Sequence, residues 1–264
     1  RRNQTYPYHY DRATCLEHHV RYYQALTGLD HVIGNLRAEL ERRGLAGNTV
    51  ILFGSDHGLL MGEYGMGGKS LLYDLSMKIP CIIHDPRLPA ERGARQLDHL
   101  VSSLDYTCTI LDYAGVTTPR FMDGRSLRPL VEGRDVPWRD ELFVECLFTL
   151  RDNPFQEGLR TERWKYIRMY DGVDNHRESD VDFSHRAPQF EMLFDLQADP
   201  EERNNLIGAP EHRETLDTLR RRCAEQSAAL NRRREQYKEV AQVQLRPPAA
   251  GPGAVQPSAP KRQP

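Results

Sequence analysis

Cysteine, tryptophan and long apolar runs are all scarce in this chain. Of its 264 residues, 5 are cysteine and 2 are tryptophan. Cys15, Cys81, Cys108, Cys146 and Cys223 are scattered, odd in number and free of any CxxC spacing. That speaks against a zinc knuckle, a dithiol redox motif and a disulfide framework. Cys81 and Cys108 sit in apolar context, as buried thiols do. No apolar run approaches the roughly 20 residues that cross a bilayer, so no membrane span is expected. Neither charge dominates: 36 Lys and Arg face 38 Asp and Glu, for a formal net charge of −2. Such a balance gives no push toward nucleic acid or an anionic membrane. Nor does a leader follow Arg1, which is not methionine. The chain is therefore read as lacking its natural beginning, which leaves location open, with periplasm and extracellular space both compatible.

What is present suffices for one large domain or two modest ones, at 39% hydrophobic and 28% charged residues. Thr14 and Glu17 fit a capping box. After it, Tyr22, Leu26, Leu29, Ile33, Leu36 and Leu40 recur at steps of three or four. That spacing predicts one face of a long amphipathic helix, closed by Gly44 with Leu45 folding back. Val50 to Phe53 reads as a buried parallel strand, Ile79 to Ile83 as a second strand and His99 to Val101 as a short third. Leu104 to Ala114 reads as a helix ended by Gly115, and Met122 to Leu127 as a turn into a short helix. From Asp140 the pattern changes. Glu141–Leu147, Trp164–Tyr170 and Glu191–Leu196 follow one another as strands without long helices between them, which predicts a small antiparallel sheet. A charged helix opens at Pro210, with Leu216, Leu219, Cys223 and Leu230 on one side. The Pro- and Ala-rich end carries too little apolar surface to order itself. There is no internal repeat.

The stretch most charged with chemistry is Gly54-Ser-Asp-His-Gly58 through Gly68-Lys69-Ser70, directly after the first strand. One reading is ordinary turn chemistry, with Ser and Asp bonding local amides. The other is a site. Asp56 and His57 are both possible metal ligands at the carboxyl edge of a sheet, where α/β folds bind ligands. The glycines at 58, 62, 65, 67 and 68 admit close backbone approach, and Lys69 returns a compact positive charge. A metal plus a lysine neutralises a tetrahedral oxyanion such as phosphate or sulfate.

An ordered set of motifs then carries a resemblance. It comprises Tyr23-Gln-Ala-Leu-Thr-Gly-Leu-Asp30 with Gly34, Asn48 to Gly58, Gly62-Glu-Tyr-Gly65, Gly68-Lys69, Tyr73 and Lys78 to Ile83. Leu104-Asp105, Ile110-Leu111, Gly115, Asp123 to Leu127, Leu159 to Ile167 and Leu193 to Leu206 continue it. Over roughly residues 15 to 235 the chain resembles the C-terminal half of a sulfatase of the alkaline-phosphatase-like superfamily. The resemblance implies an α/β fold: the C-terminal part of an alkaline-phosphatase-like sandwich with a mostly parallel sheet over 1–139. It also implies a small α+β subdomain over 140–240, an antiparallel sheet packed with a C-terminal helix. Residues 241–264 are then a disordered tail.

By the same resemblance Asp56 and His57 help hold a divalent cation, usually Ca2+, with Mg2+, Mn2+ or Zn2+ as alternatives. Histidine is an awkward ligand for calcium on first principles. Lys69, thirteen residues after Asp56, matches the lysine that grips the sulfate and aids the leaving group. The implied nucleophile is a formylglycine made from a C/S-x-P/A-x-R motif. The chain reads as lacking this motif, since none of the five cysteines begins one. The paired aspartates that complete the metal shell are likewise missing. His9, His18 and His19 are candidate stand-ins for a missing histidine, read rather as surface or packing residues, and His84 as a local variation. The Trp164-Lys-Tyr-Ile and Asp199-Pro-Glu-Glu-Arg segments read as scaffold, and the polar stretch 174–186 as a solvated loop or a border of the substrate cleft. The expected activity is hydrolysis of a sulfate ester, on a sulfated small molecule or carbohydrate. The missing N-terminal half would be the partner, and no turnover is expected from these residues alone. The alternatives are a phosphonate monoester or phosphodiester hydrolase of the same superfamily, or a non-catalytic remnant or split half.

Overall fold

A computed structural model of the chain describes residues 5–89, 93–147, 153–170, 183 and 186–244, with 237–244 described by their backbone alone. Strand β1 (Thr5–Pro7) precedes helix α1 (Arg12–Arg42). The cap of α1 is Asp11, not a box on Thr14 and Glu17: its carboxylate accepts the Thr14 N–H at 2.9 Å. The helix simply starts three residues earlier, which makes Thr14 the N3 donor that a cap satisfies. Its end is as expected. Gly44 has φ +67°, the Gly44 N–H reaches Glu41 O at 2.9 Å and the Leu45 N–H reaches Leu40 O at 2.9 Å, a Schellman closure. The apolar stripe is present, yet no residue of α1 is buried, and Tyr22, Leu26, Leu29 and Leu36 are exposed.

The strand after it, β2 (Ile51–Gly54), pairs with β5 (Cys81–His84) in antiparallel register, Ile51 opposite His84 and Gly54 opposite Cys81. Every ladder among the described residues is antiparallel. The mostly parallel character expected for this part is therefore not seen among them. Nor is β2 sealed on both faces, since Ile51, Leu52 and Phe53 are only half-buried. Between β2 and β5 lie β3 (Leu60–Met61), β4 (Met66–Gly68) and the one-turn helix α2 (Asp74–Met77). Strand β4 sits between β1 and β3. His99–Val101 forms no strand. The Leu100 carbonyl instead accepts from the Trp138 indole at 2.8 Å and from Arg139 at 3.4 Å. Helix α3 (Leu104–Tyr113) follows, ended by Gly115 at φ +71°, and the turn beyond it leads into α4 (Arg128–Val131). Fully buried Asp105 ties this region together, gripping Arg139 with both oxygens and accepting the Arg125 N–H at 2.8 Å.

The second sheet is an antiparallel meander of β6 (Glu141–Cys146), β7 (Phe155–Thr161), β8 (Trp164–Tyr170) and β9 (Phe190–Asp195), in that order. Helix α5 (Arg213–Gln244) crosses one face. Successive strand side chains alternate between faces. Leu159, Tyr166 and Leu193 meet Leu216, Leu219 and Cys223 of α5. Ile167, Met192 and Phe194 point the other way and pack on Leu72, Tyr73 and Met77. The sheet is thus sandwiched between its own helix and the segment that follows the glycine-rich loop. Most of the 241–264 tail and most of the 174–186 stretch lie outside the described residues; α5 itself runs to Gln244.

Candidate functional site

Seven constrained backbone positions shape the loop after β2. The Gly58 N–H donates to Ser76 O at 2.8 Å, and a Cβ on Gly58 would stand 2.0 Å from Leu75 O, so only glycine fits. Gly67 lies against the Tyr6 and Tyr8 rings, where an added Cβ would come within 2.6 Å of Tyr8. Gly62, Gly65 and Gly68 take positive φ, and so do two residues that are not glycine, Tyr64 at φ 56° and Ser70 at φ 77°. Left-handed backbone costs a side-chain-bearing residue about 1–2 kcal/mol. Tyr64 is held there by stacking on Tyr73 at 4.5 Å and by donating its hydroxyl to Glu201 O at 2.7 Å.

The loop brings its three chemically active side chains together. Lys69 Nζ lies 2.6 Å from His57 Nε2, and His57 Nε2 lies 3.5 Å from Asp56 Oδ2. The other imidazole nitrogen, Nδ1, is 2.8 Å from Gly58 O. A carbonyl only accepts, so Nδ1 carries the proton and Nε2 presents a lone pair to the Lys69 ammonium. The Asp56 carboxylate is 85% exposed, His57 is 36% exposed and Lys69 is half-buried. The Thr5 hydroxyl donates to Lys69 O, which fastens β1 alongside.

The donor set suits a cation in part. A 3.5 Å separation between Asp56 Oδ2 and His57 Nε2 matches two neighbouring ligands with bonds of about 2.0–2.5 Å. The Lys69 ammonium already occupies the face that such a cation would use. Among the described residues no cluster of three or more His, Cys, Asp or Glu completes a shell. The candidate histidines serve elsewhere: His18 Nδ1 pairs with the Tyr8 hydroxyl at 2.7 Å and His19 Nδ1 with Cys15 O at 2.8 Å. His9 is exposed, and His84 ends β5. The reading that the nucleophile motif is wholly missing needs one correction. Its serine form occurs as Ser258-Ala-Pro-Lys-Arg262, outside the described residues and after Lys69 rather than before it.

Sequence reasoning passed over the residues beneath the loop. Gln156, fully buried in β7, donates its amide to Ser70 O at 2.8 Å and accepts the Leu72 N–H at 3.1 Å. Nine residues on, Lys165 in β8 is fully buried between Asp74 at 2.5 Å and Glu202 at 2.6 Å. Glu202 also accepts the Asp74 N–H at 2.6 Å, and Arg160 adds a contact to Asp74 at 3.2 Å. Burial pushes the Asp74 carboxyl up, but Lys165 and Arg160 outweigh it and hold it below the usual range. For Glu202 burial prevails over Lys165, and the carboxyl is raised. The sequence signal was a lysine set among apolar residues in Trp164-Lys-Tyr-Ile.

Comparison with known proteins gives a consistent picture. The sulfatase family model matches residues 2–116, and that of the N-sulphoglucosamine sulphohydrolase C-terminal region matches 62–229. An arylsulfatase of Clostridium perfringens is 33% identical over 201 residues, 76% of this chain and 38% of that protein. A solved structure in complex with its substrate D-glucosamine-2-N,6-O-disulfate aligns at TM-score 0.60 and 26% identity, over 81% of this chain and 40% of that one. The phosphonate monoester hydrolase of Agrobacterium radiobacter aligns at TM-score 0.65 and 26% identity, over 80% and 41%. The chain thus spans about two fifths of the length of each of these three.

Proposed function

Because this chain belongs to the sulfatase family, we propose that it supplies the lysine and part of the metal site of an enzyme that hydrolyses sulfate monoesters, on a sulfated small molecule or carbohydrate. The observation that carries the reading is the contact of Lys69 with His57, beside Asp56, on a loop bent to fit. The ammonium is the right donor for a sulfate ester. It stabilises negative charge on the anion and can pass a proton to the bridging oxygen as the S–O bond breaks and the alcohol departs. With no cation bound, the His57 Nε2 lone pair orients that ammonium; a bound cation would take the same lone pair and leave Lys69 to the sulfate. Asp56 and His57 are the residues that would hold a divalent cation, calcium first, with magnesium, manganese or zinc as alternatives. When bound, such a cation neutralises oxygen charge as a Lewis acid. The nucleophile is assigned to none of the described residues; a formylglycine would have to come from elsewhere in the enzyme. Turnover by these 264 residues alone is not expected.

The test is hydrolysis of an aryl sulfate by the natural protein that contains these residues, wild type against Lys69→Ala. Loss of one such donor lowers kcat/KM by on the order of 10²–10³; a change of less than about threefold, under 1 kcal/mol, refutes the assignment. The likeness to the phosphonate monoester hydrolase favours a second reading, hydrolysis of phosphonate monoesters or phosphodiesters. The ratio of kcat/KM on an aryl sulfate to that on an aryl phosphonate decides between them.

A further inference from the structure

Lys69 sits between two residues with left-handed backbone, Gly68 at φ +100° and Ser70 at φ +77°. Its direction is therefore set by whatever holds that backbone in place. Strand β4 and the Thr5 hydroxyl on Lys69 O hold its N-terminal side, and the holder on the other side lies outside the loop. The Gln156 side chain bridges Ser70 O and Leu72 N, one residue and three residues beyond Lys69. Building from the proposed role of Lys69, we infer that Gln156 is a positioning residue: it aims the Lys69 ammonium at its place beside His57.

Three observations support it. First, the amide group is matched to the task. It must donate to one carbonyl and accept from one N–H at once, which a carboxylate or an apolar chain cannot do. Second, Gln156 is fully buried and lies on a central strand, with Cys146 of β6 opposite on one side and Met169 of β8 on the other. Its position is fixed by ladders on both edges. Third, the same face of the sheet fastens the far end of the segment, where Arg160 and Lys165 hold Asp74 and Glu202 joins them from the turn after β9. Residues 70 to 74 are thus anchored at both ends by one rigid surface, and Lys69 is the first residue outside the anchor.

The test uses the five lysines of the chain, Lys69, Lys78, Lys165, Lys238 and Lys261, as reporters. The chain is treated with an amine-acylating reagent, and the rate at each lysine is read by mass spectrometry. Wild type is compared with Gln156→Met, which keeps the length and drops the polar pair, and with Gln156→Glu, which can accept but not donate when ionised. Lys165 is fully buried and reports whether the sheet stays folded. The expected result is that Lys69 acylates faster in both variants, by roughly threefold or more, while Lys165 stays protected, as for a local opening. An unchanged Lys69 rate overturns the inference. So does a rise at Lys69 matched by Lys165, because Gln156 would then serve the whole sheet and not the loop.

Activity of the natural protein separates this from the reading it builds on. If Lys69→Ala leaves hydrolysis intact, the role of Lys69 fails, while the acylation result still stands by itself. If Lys69→Ala is crippled, Gln156→Met should lose roughly tenfold in kcat/KM alone and nothing further in the Lys69→Ala background, since residues acting as a unit are not additive. Additive losses overturn the positioning role.

Discussion

Gly58→Ala should be a severe change for one methyl group. A Cβ there would stand 2.0 Å from Leu75 O and 2.9 Å from Leu75 C. Carbon and oxygen seldom approach closer than about 3.3 Å, so the two segments must part by roughly 1 Å. Both partners are backbone, which cannot swing aside as a side chain can. The same displacement stretches the Gly58 N–H bond to Ser76 O, now 2.8 Å. Overpacking of this kind costs about 1–3 kcal/mol, and the lost hydrogen bond about 1 kcal/mol. The sum is about 2–4 kcal/mol, and at roughly 2–4 °C per kcal/mol for a chain of this size it lowers Tm by about 4–16 °C. The assay is thermal unfolding followed by circular dichroism. Gly47→Ala is the control, because nothing lies within 4 Å of a Cβ at Gly47. Its effect should stay within about 0.5 kcal/mol. A Gly58→Ala midpoint no lower than that of Gly47→Ala refutes the close packing of the loop on α2.

Lys165→Met should lower stability by about 3–5 kcal/mol in denaturant titration, because it leaves the buried Glu202 carboxyl without its cation and Asp74 with Arg160 alone; Lys165→Met with Glu202→Gln should recover part of it, and an unshifted midpoint speaks against the buried triad. The Arg163 and Arg87 guanidiniums hold Asp195 and Asp85 below the usual carboxylate range. Their stabilisation is complete above the ordinary aspartate value of about 3.9 and is lost as pH falls through the lower folded values, so Tm should drop steeply only in acid. Asp195→Asn should flatten that drop, and identical slopes contradict the pairing. Burial pushes the Cys223 thiol up to about 12, so at about pH 8 it should resist iodoacetamide while half-buried Cys146 reacts; equal labelling in the native chain runs against this burial.

How far the sequence foretold this structure depends on how local the signal was. The closure of α1 at Gly44, the stripe Leu216, Leu219 and Cys223 on α5, and strands β6, β8 and β9 follow from patterns a few residues long, and they appear as expected. Strand β7 was missed, and the reason is chemical. Phe-Gln-Glu-Gly-Leu-Arg-Thr lacks an apolar alternation because its polar side chains are occupied inside the protein. Gln156 and Arg160 bond the loop segment, while Glu157 bonds Ser227 and Arg168 on the other face. The apolar run Val50 to Phe53 was compatible with a parallel strand. Its pairing with β5 is a choice of partner, which no run of hydrophobic residues encodes.

The site shows the same division. Asp56, His57 and Lys69 could be read from one stretch, since the loop holds all three and its glycines mark tight turns. What holds the segment after Lys69 could not be read, because Gln156, Lys165 and Glu202 stand 84, 91 and 128 residues from the groups they bond there. The Trp164-Lys-Tyr-Ile strand and the Asp199-Pro-Glu-Glu-Arg turn read as scaffold, and their Lys165 and Glu202 meet in one buried cluster with Asp74. Yet a buried lysine between two carboxylates is costly unless its geometry is exact to within a hydrogen bond. A sheet that only carried a helix could meet Leu72 with apolar side chains throughout. This one presents an amide to Ser70 and two cations, Arg160 and Lys165, to Asp74. Polar groups of that kind specify one register and orientation where apolar packing would tolerate several, and the register they specify is that of the segment beginning next to Lys69.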